Sequence, residues 1–285
     1  LRDRMAGKAV ANSSDDSSTG DTEKNGTNDN PDESRNANSS NSAPVITQAK
    51  LLQACFTGEC DNIPITLTEE TKAQINAWRA ETEVSLPVGL QATLRPYQMR
   101  GYSWMYKNLE IGFGCILADD MGLGKTLQVI TFLLKMKEEG KMPNPAIVVC
   151  PTTLVGNWLK ECEKFAPSLK VSIYHGVNRV LNLKSDIIIT TYGHLRADLE
   201  KLKKYEWGML VIDEAQSIKN PATAQAKAIK SLITPCKIAM TGTPVENSLS
   251  ELWSVFDFLM PGFLYDLSEF KYRFVVPISE KGDTT

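Results

Sequence analysis

The segment Asp120-Met121-Gly122-Leu123-Gly124-Lys125-Thr126 follows a short apolar run at 114–118 and opens a helical pattern at 125–139. Glycines in a loop between strand and helix let backbone amides curl inward. The helix N-terminus adds its positive end in the same direction, so the segment is suited to cradling phosphates. A lysine and a hydroxyl at the helix start complete that chemistry. Lys125 would bridge the β- and γ-phosphates of a nucleotide, and Thr126 would ligate Mg²⁺. Asp120, Met121, Gly122, Leu123 and Gly124 make up the rest of the expected nucleotide-binding loop. Asp119 stands where the usual pattern has its first glycine.

A second acidic element lies downstream in "VIDEAQ", residues 211–216. A carboxylate pair at the end of an apolar strand suits metal-assisted phosphoryl transfer. Asp213 would hold Mg²⁺ through water, and Glu214 would orient and deprotonate the attacking water. Lys125, Asp213 and Glu214 form the expected catalytic set, with Thr126 and Asp213 at the metal.

The elements that must position these groups are legible as a pattern. Short apolar runs recur at 114–118, 146–150, 171–174, 186–190, 209–212 and 237–240. Each is bounded by turn or polar residues, as in strands of a parallel sheet buried on both faces. Amphipathic helical segments such as 125–139 and 222–233 lie between them. The alternation predicts an α/β, three-layer P-loop domain with a mainly parallel sheet. Upstream, Thr68 is a cap candidate for a short surface helix within "TEETKAQINAWRAETE". The aromatic residues Trp104, Tyr106, Trp158, Trp253, Phe256 and Phe258 fall at helical spacing beside aliphatic neighbours and are expected in the core. "KLKKYEW" (201–207) is expected to be a solvated charged face.

Bulk composition sets the outer limits. The chain has 285 residues, 42% hydrophobic and 23% charged, which is ordinary for a globular protein. Residues 1–44 are rich in Ser, Asn, Asp and Gly, and are expected to be a disordered low-complexity linker. The net charge is −3; residues 1–46 hold 5 of the 31 basic and 8 of the 34 acidic residues, so the remainder carries 26 of each sign. Overall charge therefore neither favours nor excludes a nucleic-acid partner. Six cysteines and two histidines lack metal-ligand spacing, which argues for free thiols in a reducing cytoplasm over a zinc site. No apolar run approaches the roughly 18 residues a membrane span requires, and the N-terminus lacks the apolar region of a secretory signal. A chain starting at Leu1 with such a linker is expected to be part of a longer protein.

Six ordered motifs then carry a resemblance: "LRPYQ" (94–98), "DDMGLGKT" (119–126), "VVCPTTLVGNW" (148–158), "IIITTYG" (187–193), "VIDEAQSIKN" (211–220) and "MTGTPVENSLSELWSVFDFLMPGFL" (240–264). Together they resemble the first RecA-like lobe of Swi/Snf-type ATPases, the double-stranded-DNA translocases of helicase superfamily 2, and bacterial members in particular. In the helicase-like ATPases the first position of the phosphate loop is relaxed, which accommodates Asp119. The resemblance implies an ATP-binding, DNA-dependent hydrolase with ATP and Mg²⁺ as cofactors, in the cytoplasm. It implies that Gln98 reads the adenine, that Thr152, Thr153, Thr190 and Thr191 grip a duplex-DNA backbone, and that Thr241, Gly242 and Thr243 couple the two sites. Residues 45–93 would be the end of a helicase-associated region, 94–264 the RecA-like lobe, and 265–285 the start of a connection to a second lobe. Since the family completes its site with an arginine from that second lobe, this chain is expected to bind nucleotide but turn it over poorly alone. Two other readings stay open at this point: a strand-separating helicase or RNA-dependent ATPase of the same superfamily, and a non-catalytic nucleotide-sensing module.

Overall fold

The computed structural model describes residues 53–55, 57–60, 63–80, 83–244 and 248–281. The expected linker at 1–44 and the motif residues Val245, Glu246 and Asn247 lie outside the described residues. Two short strands, β1 (Glu59–Cys60) and β2 (Ile63–Pro64), pair antiparallel, and the remaining strands form one sheet. These are β3 (Cys115–Leu117), β4 (Ala146–Cys150), β5 (Val171–Tyr174), β6 (Ile187–Thr191), β7 (Met209–Ile212) and β8 (Lys237–Met240). They are ordered β3-β8-β7-β4-β6-β5, and all five pairings are parallel.

The apolar runs are buried on both faces because their side chains alternate between two cores. Val148, Ile187, Ile189, Val211 and Ile238 point into one, with Tyr102, Phe132, Trp158 and Cys162 from the covering helices. Ile147, Val149, Ile188, Leu210 and Ala239 point into the other, with Leu195, Ile229 and Phe258. This is the three-layer α/β arrangement expected from the pattern. The edge strand β5 departs from full burial: Ile173 is 37% exposed, since β5 has a neighbour on one side only.

The covering helices are α1 (Glu69–Arg79), α2 (Pro96–Glu110), α3 (Lys125–Glu138), α4 (Val155–Phe165), α5 (Tyr192–Ala197), α6 (Leu199–Leu202), α7 (Ala224–Lys230) and α8 (Leu249–Leu259). Thr68 caps α1 as expected, accepting from the Thr71 amide at 3.2 Å. Of the aromatic residues assigned to the core, Trp158, Trp253 and Phe258 are buried, whereas Trp104 is 43% exposed because its turn of α2 faces outward. Lys201, Lys203 and Lys204 are exposed, while Trp207 beside them is buried.

Cys115, Cys150, Cys162 and Cys236 are free and buried. Burial pushes Cys150, Cys162 and Cys236 up to about 12, so they remain protonated packing groups.

The far end of α3 carries a polar cluster. Glu139 accepts from Tyr106 Oη at 2.7 Å and pairs with Lys141 at 2.8 Å and Lys135 at 3.2 Å. Burial alone would raise its pKa, but the hydrogen bonds from Lys141, Tyr106 and Lys135 outweigh that and bring it down to about 2. A carboxyl lowered in the folded state contributes stability above its ordinary value of 4.5, and that contribution is lost as pH falls from there toward about 2. Glu139→Gln is therefore expected to lower the melting temperature at pH 7 and to flatten its decline between pH 4.5 and 2. Thermal melts of both proteins across that range check this; parallel acid limbs would exclude it.

Candidate nucleotide site at the carboxyl edge of the sheet

Three neighbouring strands deliver the expected chemistry to one edge, the carboxyl edge where open α/β sheets bind ligands. The phosphate loop follows β3, residues 241–243 follow β8, and Asp213 and Glu214 follow β7. The Thr241 amide donates to the Leu117 carbonyl at 3.1 Å and the Asp213 amide to the Val149 carbonyl at 2.8 Å, so the ladder extends to the base of each loop. Lys125 and Asp213 thus come from strands separated by β8 alone, and the lysine charge reaches the carboxylate.

The loop folds onto its own lysine. Lys125 Nζ donates to the carbonyls of Asp119 (2.7 Å) and Asp120 (3.1 Å). Asp119 has a definite task in the position where a glycine was expected. Its carboxylate accepts from Gln128 Nε2 at 2.7 Å, tying the loop entrance to the first turn of α3. Gln128 is fully buried, and its other amide atom, Oε1, has no partner, so Asp119 sets that side chain's orientation.

Gln98 is 6% exposed; its Oε1 accepts from the Arg95 amide at 2.9 Å and its Nε2 donates to the Leu123 carbonyl at 3.0 Å. The amide assigned to adenine by resemblance here links the start of α2 to the phosphate loop. Tyr97 Oη donates to the same carbonyl at 3.1 Å. Met121 and Gly122 are exposed, and Leu123, Gly124 and Thr126 are half-buried.

Gly124 has φ +74°, and an added Cβ would lie 2.5 Å from Gln98 Nε2. Gly124→Ala therefore combines a left-handed backbone penalty of about 1–2 kcal/mol with a collision at the loop's anchor. The expected outcome is a melting temperature lowered by about 2–8 °C and weakened nucleotide binding, checked by thermal melts and titration. An unchanged affinity would mean that Gln98 and the loop separate freely.

The acidic pair is held from several directions. Asp213 is 6% exposed; Oδ2 accepts from Trp158 Nε1 at 2.9 Å and Oδ1 from the Glu214 amide at 2.9 Å. Burial raises its pKa, opposed by those two hydrogen bonds and by the Lys125 charge. Glu214 is a non-glycine residue at φ +53°, a conformation that costs about 1–3 kcal/mol and concentrates at functional sites. Its Oε2 accepts from Gln216 Nε2 at 2.7 Å, Gln216 Oε1 accepts from Thr241 Oγ1 at 3.1 Å, and Thr241 Oγ1 accepts from the Thr243 amide at 3.1 Å. Thr241 thus reaches Glu214 through Gln216. Gly242 lets the phosphate loop approach this segment: a Cβ there would sit 3.0 Å from Met121 Cγ.

Thr126 and Asp213 offer hard oxygen donors, and each Asp213 oxygen keeps lone-pair capacity beyond its single donor. Among the described residues no group of three or more His, Cys, Asp and Glu gathers. That donor set fits Mg²⁺ held by one carboxylate together with phosphate oxygens, and does not fit a transition metal.

The four threonines assigned to DNA divide into two kinds. Thr152 and Thr153 are exposed on a 3₁₀ turn, Thr152–Leu154, at the start of α4. Thr190 is fully buried and donates its hydroxyl to the Tyr174 carbonyl at 2.8 Å. Thr191 is buried and caps α5, its hydroxyl accepting from the His194 amide at 3.3 Å and lying 2.7 Å from His194 Nδ1. The Thr190 and Thr191 hydroxyls, expected to face phosphate, are engaged here with the adjacent strand and with α5, because β6 runs between β4 and β5.

Residues 97–285 match the SNF2-related domain family. The chain belongs to that family. It is similar to the putative ATP-dependent helicase/translocase YwqA of Bacillus subtilis, with 44% identity over 200 residues, 68% of this chain and 22% of that protein. It is also similar to the TATA-binding protein-associated factor mot1 of Schizosaccharomyces pombe, with 42% identity over 216 residues, 70% of this chain and 11% of that protein. Among solved structures, the Sulfolobus solfataricus SWI2/SNF2 ATPase core in complex with dsDNA aligns at 47% identity and a TM-score of 0.66, covering 71% of this chain and 42% of that one. The chain thus carries an SNF2-related domain and spans less than a quarter of either of these relatives and under half of that solved core.

Within this SNF2-type domain, the sequence reading did not assign site roles to Gln128, Trp158, Tyr192 and Gln216. Gln216 ends the quoted "VIDEAQ", Trp158 closes "VVCPTTLVGNW" and Tyr192 is the penultimate residue of "IIITTYG". The available signal was physical: a buried indole N–H or phenol needs a polar partner.

Among the described residues no helix is long and apolar enough to cross a membrane.

Proposed function

We propose that this chain is the ATP-binding lobe of a cytoplasmic ATP-dependent double-stranded-DNA translocase or remodeller. The observation that carries the reading is the convergence of Lys125, Asp213 and Glu214 at one sheet edge, in a domain 47% identical to an ATPase core described in complex with dsDNA. Lys125 would exchange the Asp119 and Asp120 carbonyls for the β- and γ-phosphates, since a charged phosphate outcompetes neutral carbonyls for an ammonium group. Thr126 and Asp213 would hold Mg²⁺, which supplies charge neutralisation at the phosphate oxygens. Glu214, kept in place by Gln216, would take the proton from the attacking water. Gln98 would trade the Leu123 carbonyl for the adenine edge, using one donor and one acceptor of its amide.

Thr152 and Thr153, with the amides around them, would bind phosphates of one DNA strand. Thr241, Gly242 and Thr243 would relay between the two sites. A second RecA-like lobe would supply the arginine that neutralises the transition state, so the 285-residue chain would bind nucleotide with slow turnover.

The test pairs nucleotide binding by this chain with hydrolysis by a two-lobed protein, in the presence of duplex DNA, single-stranded DNA or RNA. Stimulation greatest with duplex DNA is the expected result. Greater stimulation by single strands or RNA would indicate a strand-separating helicase or RNA-dependent ATPase. Binding without hydrolysis under any condition would indicate a nucleotide-sensing module.

A further inference from the structure

The two segments that resemblance places on the DNA side each send an aromatic side chain beneath the acidic pair. Trp158 is fully buried and donates its indole N–H to Asp213 Oδ2 at 2.9 Å, across 55 positions of sequence. It sits in the first turn of α4, directly after the exposed residues Gly156 and Asn157. Tyr192 opens α5 and donates its hydroxyl to the Asp213 carbonyl at 2.7 Å, with the Glu214 carbonyl at 3.5 Å. One segment therefore grips the side chain that would hold Mg²⁺. The other grips the peptide that leads into Glu214, whose left-handed backbone needs support from its surroundings.

Phenylalanine at 192 would fill nearly the same apolar volume as the tyrosine, so the cost there falls on the polar tip. Phenylalanine at 158, the site of a fully buried indole, removes ring volume as well as the N–H, so its effect is read against the same change at another buried tryptophan. A donor that fixes a metal-bearing carboxylate acts on the metal even though it does not touch it.

We propose that Trp158 and Tyr192 are positioning residues that set Asp213 and Glu214, so that the segments at 151–158 and 190–193 and the Mg²⁺ site behave as one mechanical unit. This rests on the reading of the edge as a Mg-nucleotide site. Under it, a displacement of the 151–158 segment is transmitted to Asp213 by a single hydrogen bond, without passing through the phosphate loop. The Gln216–Thr241 relay acts on Glu214 from the opposite side, leaving Asp213 to Trp158 and the Glu214 amide.

The experiment is a Mg²⁺ titration of fluorescent ADP binding to the 285-residue chain, comparing the unsubstituted protein with Trp158→Phe, Tyr192→Phe and Trp207→Phe. Trp207 is the control: also buried, it donates its indole N–H to the Leu202 carbonyl at 3.0 Å, outside the nucleotide site. Trp158→Phe is expected to raise the Mg²⁺ midpoint about tenfold while affinity in EDTA stays unchanged. Tyr192→Phe is expected to shift the midpoint the same way, and Trp207→Phe to leave it in place. A general structural role would move EDTA affinity as well, or would make Trp158→Phe and Trp207→Phe alike. Either result, or superimposable Mg²⁺ curves for the unsubstituted protein and both site variants, overturns the inference. Should Trp158→Phe fail to fold, Tyr192→Phe alone decides it by the same criteria. An unsubstituted chain that binds no Mg-ADP is a different failure: it overturns the nucleotide-site reading itself, and the inference with it.

Discussion

Lys125→Ala is expected to abolish practical binding of Mg-ATP. Hydrogen bonds from a charged donor contribute about 1.5–3 kcal/mol each, so losing two phosphate contacts weakens affinity by about 10²-fold or more. The effect on the empty protein should be small by comparison. Lys125 makes its present hydrogen bonds to the carbonyls of Asp119 and Asp120, and both residues lie near the surface, where water can replace a lost donor. The loop keeps its other anchors, Gln98 on the Leu123 carbonyl and Gln128 on Asp119. A nucleotide titration beside a thermal melt therefore separates the two consequences. Affinity that survives the substitution in a folded protein would rule out Lys125 as the phosphate-binding lysine.

Glu214→Gln should have the opposite profile. Removing a general base typically lowers turnover by about 10²–10⁴-fold, while the shape and hydrogen-bonding reach of the side chain persist. Gln216 can still donate to the amide oxygen of the substituted residue, so the relay to Thr241 stays intact. Mg-ATP affinity is expected to remain within about threefold, because Lys125, Thr126 and Asp213 are untouched. Single-turnover hydrolysis, with protein in excess over ATP, measures the rate even where turnover is slow. A rate that falls in proportion to affinity would mean that Glu214 acts in binding and another group accepts the proton.

The two substitutions divide the site into a binding half on β3 and a hydrolytic half on β7. The strand between them, β8, carries the segment that contacts both. Gly242 lies against Met121 on one side, and Thr241 reaches Glu214 through Gln216 on the other. That placement follows from the strand order, since parallel neighbours present their carboxyl ends side by side.

What the sequence determined by itself was local. The phosphate loop is read within a dozen residues because strand, glycine turn and helix start are contiguous, and each needs particular residue types. The carboxylate pair is legible because it ends a buried apolar run. The strands at 146–150 and 209–212 fall where the runs place them, because wholly apolar tetrads and pentads can be accommodated only between two covering layers; those at 171–174 and 237–240 also fall there, although they carry Ser172 and Lys237 and the first lies at the sheet edge. The resemblance of the ordered motifs supplied the family and its roles.

Tertiary structure alone decided which atoms meet. Trp158 and Asp213 are 55 positions apart and Thr241 and Gln216 are 25 apart, so no local pattern records their hydrogen bonds. Thr190 and Thr152 have similar motif contexts, yet one donates inward to the neighbouring strand and the other stands exposed. Asp119 looked like a departure from a loop pattern until α3 brought Gln128 within 2.7 Å of it. The reason is the same in each case. Residue type and spacing fix the backbone elements, but the partner of a side chain at a sheet edge depends on strand order and helix packing, which bring together groups from separate parts of the chain.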